Sequence, residues 1–207
     1  MEAKIIGLLL AGGRAKRFGG KKCLSLLKGK PLIIWTYEAL KEIAQEIWLS
    51  VREEGQPEIE FVPARRILLD KVKDKGPLWA LLQALKEITP QDLLLLTACD
   101  QPFLMRPLLE FLHQEALAHP RAEAIVCLDH EGKILPFPGL YRQGLLSKEG
   151  RKTSSFYRYL KERKTRFVSP KAWQKFDPEG LSFFNINYQE DLVLAEKILA
   201  KYRPPSA

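Results

Sequence analysis

The residues best suited to chemistry in this chain form three groups. Gly12-Gly13 breaks a continuous apolar run, and Arg14, Lys16, Arg17, Lys21 and Lys22 gather around a second pair, Gly19-Gly20. Paired glycines let a polyanion approach backbone N–H groups because no Cβ stands in the way. The cations that follow can neutralise the same anion. Asp100 ends another apolar run, just before Gln101-Pro102, while Asp70 and Asp74 lie in a charged stretch ahead of Gly76-Pro77. A carboxylate placed among phosphates suits Mg²⁺, which prefers oxygen ligands and keeps several waters. Backbone donors, cations and carboxylates together suit phosphoryl or nucleotidyl transfer, where positioning and charge neutralisation do most of the catalysis. The same residue types also fit plainer roles. The Gly-rich stretch could be a tight turn before a solvated basic face, Asp100 a turn-starting residue, and Asp70 and Asp74 solvated carboxylates.

Other chemistries lack their residues. No Gly-x-Ser-x-Gly is present, so a hydrolase nucleophile elbow is unsupported. Gly19-Gly20-Lys21-Lys22-Cys23 lacks the hydroxyl and the register of a P-loop, and the dinucleotide Gly-x-Gly-x-x-Gly pattern is also missing. His113, His119 and His130 are scattered. Cys23, Cys99 and Cys127 are odd in number and widely spaced, which implies neither a metal site nor a disulfide framework. Cys99 and Cys127 lie in apolar runs and read as small core residues.

Strands and helices must bring these groups together. The apolar run that opens at Ile5 predicts a buried strand ending in the Gly-rich loop. Pro31 suits a first helical residue, and Leu32, Ile33, Tyr37, Leu40, Ile43 and Ala44 recur at helical spacing. Short strands are predicted at 46–51 and 59–62, then a long functional loop at 65–75. A helix runs from Gly76-Pro77 through Ile88. Leu93 to Cys99 is near-continuously apolar, as in a strand covered on both faces. A helix at about 107–118 and a strand at 124–128 follow. Beyond these, 136–141 predicts an antiparallel edge strand, 154–164 a basic helix, 166–169 and 181–186 short strands, and 188–201 a closing helix. This alternation predicts an α/β fold, a Rossmann-like three-layer α/β/α arrangement with a mostly parallel central sheet. Ligands bind at the carboxyl ends of the strands in such sheets, so Gly12-Gly13 and Asp100 are expected to meet there.

With 207 residues and 46% apolar content, the chain is expected to form a single domain over 1–200 with a frayed tail at 201–207. The net charge of +8 points to a polyanionic partner, either nucleic acid, an acidic surface or a phosphorylated small molecule. A Lys- and Glu-rich surface of the thermophilic kind would look similar. Neither a signal-peptide layout nor a membrane-length apolar run is seen, so a cytoplasmic protein without membrane contact is expected.

Leu10-Ala11-Gly12-Gly13 with Arg17, Gly19 and Lys22, followed by Gly29-Lys30-Pro31-Leu32, resembles the signature of nucleotide-sugar-type nucleotidyltransferases. It is most similar to the molybdenum cofactor guanylyltransferases. Asp70 ahead of Gly76-Pro77-Leu78, Cys99-Asp100-Gln101-Pro102-Phe103 and Phe184-Asn185-Ile186-Asn187 with Asp191-Leu192 match further family segments in order. Pro136 and Leu140-Tyr141 match a weaker one. The resemblance implies transfer of GMP from GTP to molybdopterin cofactor, with Mg²⁺ and release of pyrophosphate. It implies nucleotide binding by Leu10, Ala11, Gly12, Gly13, Lys22, Asp70 and Asp100, and charge compensation by Arg17 and Lys22. Asp100 would be the metal ligand, and Asn185 and Asn187 would meet the pterin substrate. Arg151, Lys152 and Arg158 could extend the positive field. Cofactor-delivering or molybdoenzyme-maturation proteins would be further partners.

Departures from the pattern concentrate near the nucleotide. Lys21 replaces an Asp, Phe18 a Met, Ser50 stands near an Asn position, and Trp79-Ala80 replaces Ala-Gly. Three alternatives remain: a cytidylyltransferase for the same cofactor or a related phosphate acceptor, a non-catalytic nucleotide-binding regulator, and a nucleic-acid-binding domain. The last lacks aromatic–basic interleaving, and Gly12-Gly13 favours guanine over cytosine by resemblance.

Overall fold

The computed structural model describes residues 3–12, 18, 22–69, 76–146 and 155–201. In chain order it contains β1 (Ile5–Leu10), the small hairpin β2 (Leu26–Leu27) and β3 (Lys30–Pro31), α1 (Leu32–Lys41), β4 (Glu46–Val51), α2 (Glu58–Phe61) and β5 (Arg66–Leu69). There follow α3 (Pro77–Leu85), β6 (Leu93–Ala98), α4 (Arg106–Ala118), β7 (Ala124–Leu128), β8 (Ile134–Tyr141), α5 (Phe156–Lys161), β9 (Thr165–Val168), α6 (Pro170–Trp173) and α7 (Gln189–Lys201). The main sheet runs β5-β4-β1-β6-β8-β7-β9. Every neighbouring pair is parallel except the two that involve β8.

Successive residues of a strand point to opposite faces, so a sheet covered on both sides needs apolar residues at every position. Ile5 and Leu9 of β1 join Leu93 and Leu95 of β6 in a core shared with α1 and α4. Ile6 and Leu8 join Leu94 and Leu96 in the opposite core, with α3 and α5. Each fully buried Leu contributes about 1.5–3 kcal/mol relative to exposure. At Gly7 a Cβ would lie 3.3 Å from Leu40 Cδ2, so the glycine lets α1 pack close to the central strand. A third cluster of Phe18, Leu27, Leu32, Phe103, Ile186 and Ala195 seats α7 against the small hairpin and the end of β6. The three-layer α/β/α expectation holds.

Several local expectations change. Residues 59–62 lie mainly in the short helix α2 rather than in a strand; Pro57 already has helical dihedrals, and the Gln56 side chain accepts hydrogen bonds from the N–H groups of Arg52 and Glu53. The stretch at 65–75, read as a loop, contains β5, which pairs in parallel with β4. As an edge strand it buries only Leu68 and exposes Arg66 and Ile67, so it lacks the apolar signature of an inner strand. The 136–141 strand begins at Ile134 and sits between β6 and β7 rather than at the edge. Its prolines are tolerated because the β7–β8 register jumps from Val126↔Gly139 to Cys127↔Leu135, leaving 136–138 outside the ladder. Instead of a strand, 181–186 begins with a 3₁₀ turn, Leu181–Phe183. The basic helix shortens to α5. Finally, Cys23 and Cys99, 76 positions apart, form a disulfide, which corrects the expectation of unpaired cysteines. Cys127 is free and buried.

Candidate active site

The carboxyl ends of the parallel strands converge on one cavity of about 510 Å³. Interstrand hydrogen bonds continue past the formal strand ends: Ala11 N–H donates to Ser50 O at 2.8 Å, and Cys99 N–H donates to Leu10 O at 3.0 Å. These bonds extend the rigid sheet to the residues that matter. β1 contributes Leu10 and Gly12 to the wall, β4 contributes Ser50 and continues to Arg52, and β6 delivers Ala98, Cys99 and Asp100. Gly76, with φ of 79°, adopts a conformation open to glycine and turns the chain into Pro77 at the start of α3. Phe137 of β8 and the segment carrying Asn185 and Asn187 complete the lining.

Lys22 ties these parts together. It belongs to a 3₁₀ turn, Lys22–Leu24, and its ammonium forms an ion pair with Asp100 Oδ2. The same Nζ donates to Asn187 Oδ1 at 3.3 Å. The side chains of Lys22 and Asp100 are only 16% and 13% exposed, so water screens the pair weakly. Asp100 Oδ1 is buried and has no hydrogen-bond partner among the described residues. A buried carboxylate oxygen with open lone pairs fits a hard cation that takes its remaining ligands from phosphate and water. No group of three or more His, Cys, Asp or Glu side chains suited to a metal occurs among the described residues.

Asn187 and Asn185 are held by local bonds. Asp191 accepts from the N–H groups of Asn187 at 2.6 Å and Tyr188 at 2.8 Å, capping α7. Asn185 Nδ2 donates to Phe183 O at 2.9 Å, and Ile186 N–H donates to Asp100 O at 3.0 Å. That last bond fastens the 185–187 segment directly to the end of β6.

Gln101 is the main residue that motif reading passes over. It is fully buried. Its Nε2 donates to Phe137 O at 3.0 Å and to Ser182 O at 3.1 Å, and its Oε1 accepts from Ala98 N–H at 3.1 Å. Thr36 Oγ1 donates to Gln101 O at 3.1 Å. One amide therefore joins β6, β8 and the segment leading to Asn185. Gln101→Leu would leave two carbonyls and one N–H unpaired, at a cost of about 3 kcal/mol. We expect the melting temperature to fall by roughly 6–12 °C, read by thermal denaturation. A change below about 2 °C would show that the network holds nothing. The sequence held no signal for this role, because Gln101 bonds to partners 36 and 81 positions away. Arg52 was also missed; its place just past the end of β4 was the available clue.

The structure thus brings together Leu10, Gly12, Lys22, Asp100, Asn185 and Asn187, whereas Ala11 sits between two wall residues with its side chain buried in the core. Gly13, Arg17, Asp70 and Lys21 lie outside the described residues, as do Asp74, Gly19-Gly20, Arg151 and Lys152. Arg158 is bonded to Glu162 on the exposed side of α5 and does not line the cavity. His113, His119 and His130 also stand away from it. The cavity can compensate an anion, hold a carboxylate-bound cation and offer amides to a second ligand.

Comparison with known proteins bears on the family and the fold. Residues 7–174 match the family model described as the MobA-like NTP transferase domain. A probable molybdenum cofactor guanylyltransferase of Peptoclostridium acidaminophilum is 27% identical over 206 residues, covering 95% of this chain and 90% of the relative. The molybdenum cofactor guanylyltransferase of Syntrophotalea carbinolica is 29% identical over 190 residues, covering 89% and 87%. Among solved structures, molybdopterin-guanine dinucleotide biosynthesis protein A from Archaeoglobus fulgidus superposes with a TM-score of 0.80 at 26% identity, covering 95% of this chain and all of that one.

Proposed function

The chain belongs to the MobA-like NTP transferase family and is a nucleotidyltransferase, and from that membership we propose that it transfers GMP from GTP to molybdopterin cofactor. Lys22 carries the assignment. Its ammonium touches Asp100 at the central strand end and Asn187 on the neighbouring 185–187 segment, so one cation spans the places where two anionic ligands would meet.

An oxygen of the pterin's terminal phosphate attacks the α-phosphorus of GTP. A new P–O bond forms, the α–β bridging bond breaks, and its electron pair leaves with pyrophosphate. Leu10 and Gly12 line the cavity; together with Ala11 and Gly13 they are assigned to nucleotide binding, where a glycine backbone admits close approach. Lys22 and Arg17 compensate the charge that grows on the leaving group. Asn185 and Asn187, which can both donate and accept, orient the acceptor, and Asp70 is assigned to nucleotide binding. Asp100 would hold Mg²⁺, which when bound supplies charge compensation between phosphates. This proposal takes 1–200 as one domain with 201–207 as its tail, acting in the cytoplasm on small anionic substrates rather than nucleic acid, with cofactor-delivering or molybdoenzyme-maturation proteins as partners. No described helix is long and apolar enough to cross a membrane.

Nucleotide choice is the direct test. At a hundred times its dissociation constant a ligand stabilises the fold by about 2.7 kcal/mol, which corresponds to roughly 5–10 °C here. GTP with Mg²⁺ is expected to give that rise in a thermal-shift titration, with CTP and ATP giving much less. Selective stabilisation by CTP would overturn the guanine assignment. Pyrophosphate release should then require both GTP and molybdopterin.

A further inference from the structure

We propose that the Cys23–Cys99 disulfide is a positioning element of the transfer reaction, one that holds Lys22 and Asp100 together and can be opened by a dithiol. The proposal rests on the reading of the cavity as a nucleotidyl-transfer site. The two half-cystines occupy the positions next to the ion pair: Cys23 follows Lys22, and Cys99 precedes Asp100. Residues 22 and 100 are joined by charge and residues 23 and 99 by a covalent bond, so the two segments are pinned at adjacent rungs. Both cysteines line the cavity.

Lys22 needs such a tie. Its 3₁₀ turn is only three residues long, and the carboxylate that holds its ammonium is the group a cation would claim. Once Asp100 turns toward a cation and Lys22 toward phosphate, their direct attraction no longer fixes their separation. The covalent bond does. A displacement of about 1 Å in a positioning group can cost up to roughly a hundredfold in rate. Opening the bond takes two electrons and two protons: the dithiol is oxidised to its own disulfide, and Cys23 and Cys99 become thiols. Cys127 is the internal control, since it is fully buried and burial pushes its thiol far up in pKa.

The experiment counts thiols first and then reads function. Protein kept free of reductant, unfolded with an alkylating reagent and weighed by mass spectrometry, is expected to carry one adduct, on Cys127. Prior treatment with dithiothreitol should raise this to three. Three adducts without reductant would overturn the proposal. In the folded protein, GTP with Mg²⁺ should slow reduction and labelling of Cys23 and Cys99, because the ligand fills the cavity they line; equal rates would overturn it.

In the pyrophosphate assay, dithiothreitol is expected to lower kcat about tenfold with little change in KM for GTP, and oxidised glutathione to restore it. Lys22→Met, slower from the start, should not respond to either reagent. A bond that merely stapled the fold would lower the melting temperature and leave kcat unchanged, which would also overturn the proposal. Cys23→Ser combined with Cys99→Ser should match the reduced enzyme under both conditions. Should GTP and molybdopterin give no transfer in any redox state, the functional reading fails, while the thiol count and nucleotide protection still decide the disulfide.

Discussion

Asp100→Asn is expected to lower the rate of pyrophosphate release by about 10²–10³-fold, corresponding to roughly 2.7–4 kcal/mol of transition-state stabilisation. The substitution keeps the shape and one acceptor oxygen but removes the negative charge and an anionic oxygen. With the amide oxygen turned toward the Lys22 ammonium, as its donor character requires, the NH₂ falls at Oδ1, the buried atom without a partner among the described residues. Its loss should also raise the Mg²⁺ concentration needed for half-maximal rate. The backbone tie from Ile186 N–H to Asp100 O is untouched, so the 185–187 segment stays in place. Steady-state pyrophosphate release measured across a Mg²⁺ titration checks this. A variant with unchanged kcat and Mg²⁺ dependence would remove Asp100 from the machinery.

Lys22→Met should have a comparable effect through the opposite charge. Met keeps an unbranched apolar side chain and removes the ammonium, leaving Asp100 in a weakly screened setting without its cation. Turnover is expected to fall by about 10²-fold, with KM for GTP rising as well, since in the proposed reaction the ammonium would contact phosphate before and during transfer. The two substitutions should not add. In a double-mutant cycle, Lys22→Met with Asp100→Asn is expected to be about as slow as the slower single variant, because groups that act as a unit lose their effect together. Additive losses would show that Lys22 and Asp100 do not act as a unit in the transfer.

Lys22 was legible in the sequence as one of five cations near the glycine pairs, but not as the one that bonds both Asp100 and Asn187. Asp100 was legible as a carboxylate at a strand end, and the rule for strand ends in α/β sheets correctly placed it beside Gly12. That inference works because the apolar runs of β1 and β6 mark both as strands buried on two faces, hence neighbours in the middle of the sheet. Strand β5 failed the same test because an edge strand with Arg66 and Ile67 exposed carries no such run. Strand β8 was found but misplaced, since Pro136 and Pro138 imply an edge unless a register jump excuses them.

By itself, then, the sequence determined the α/β class, the order of most elements, and the residues at the ends of β1 and β6. Those features are written locally: in the period of apolar positions, in the glycines that end a strand, and in the charge that follows. Only the tertiary structure decided that Cys23 reaches Cys99, that Gln101 joins three segments, and that Lys22 chooses Asp100 and Asn187 among its possible partners. Such pairings depend on which strand ends come to lie side by side. Contacts across 36 to 165 positions leave no period in the chain to mark them.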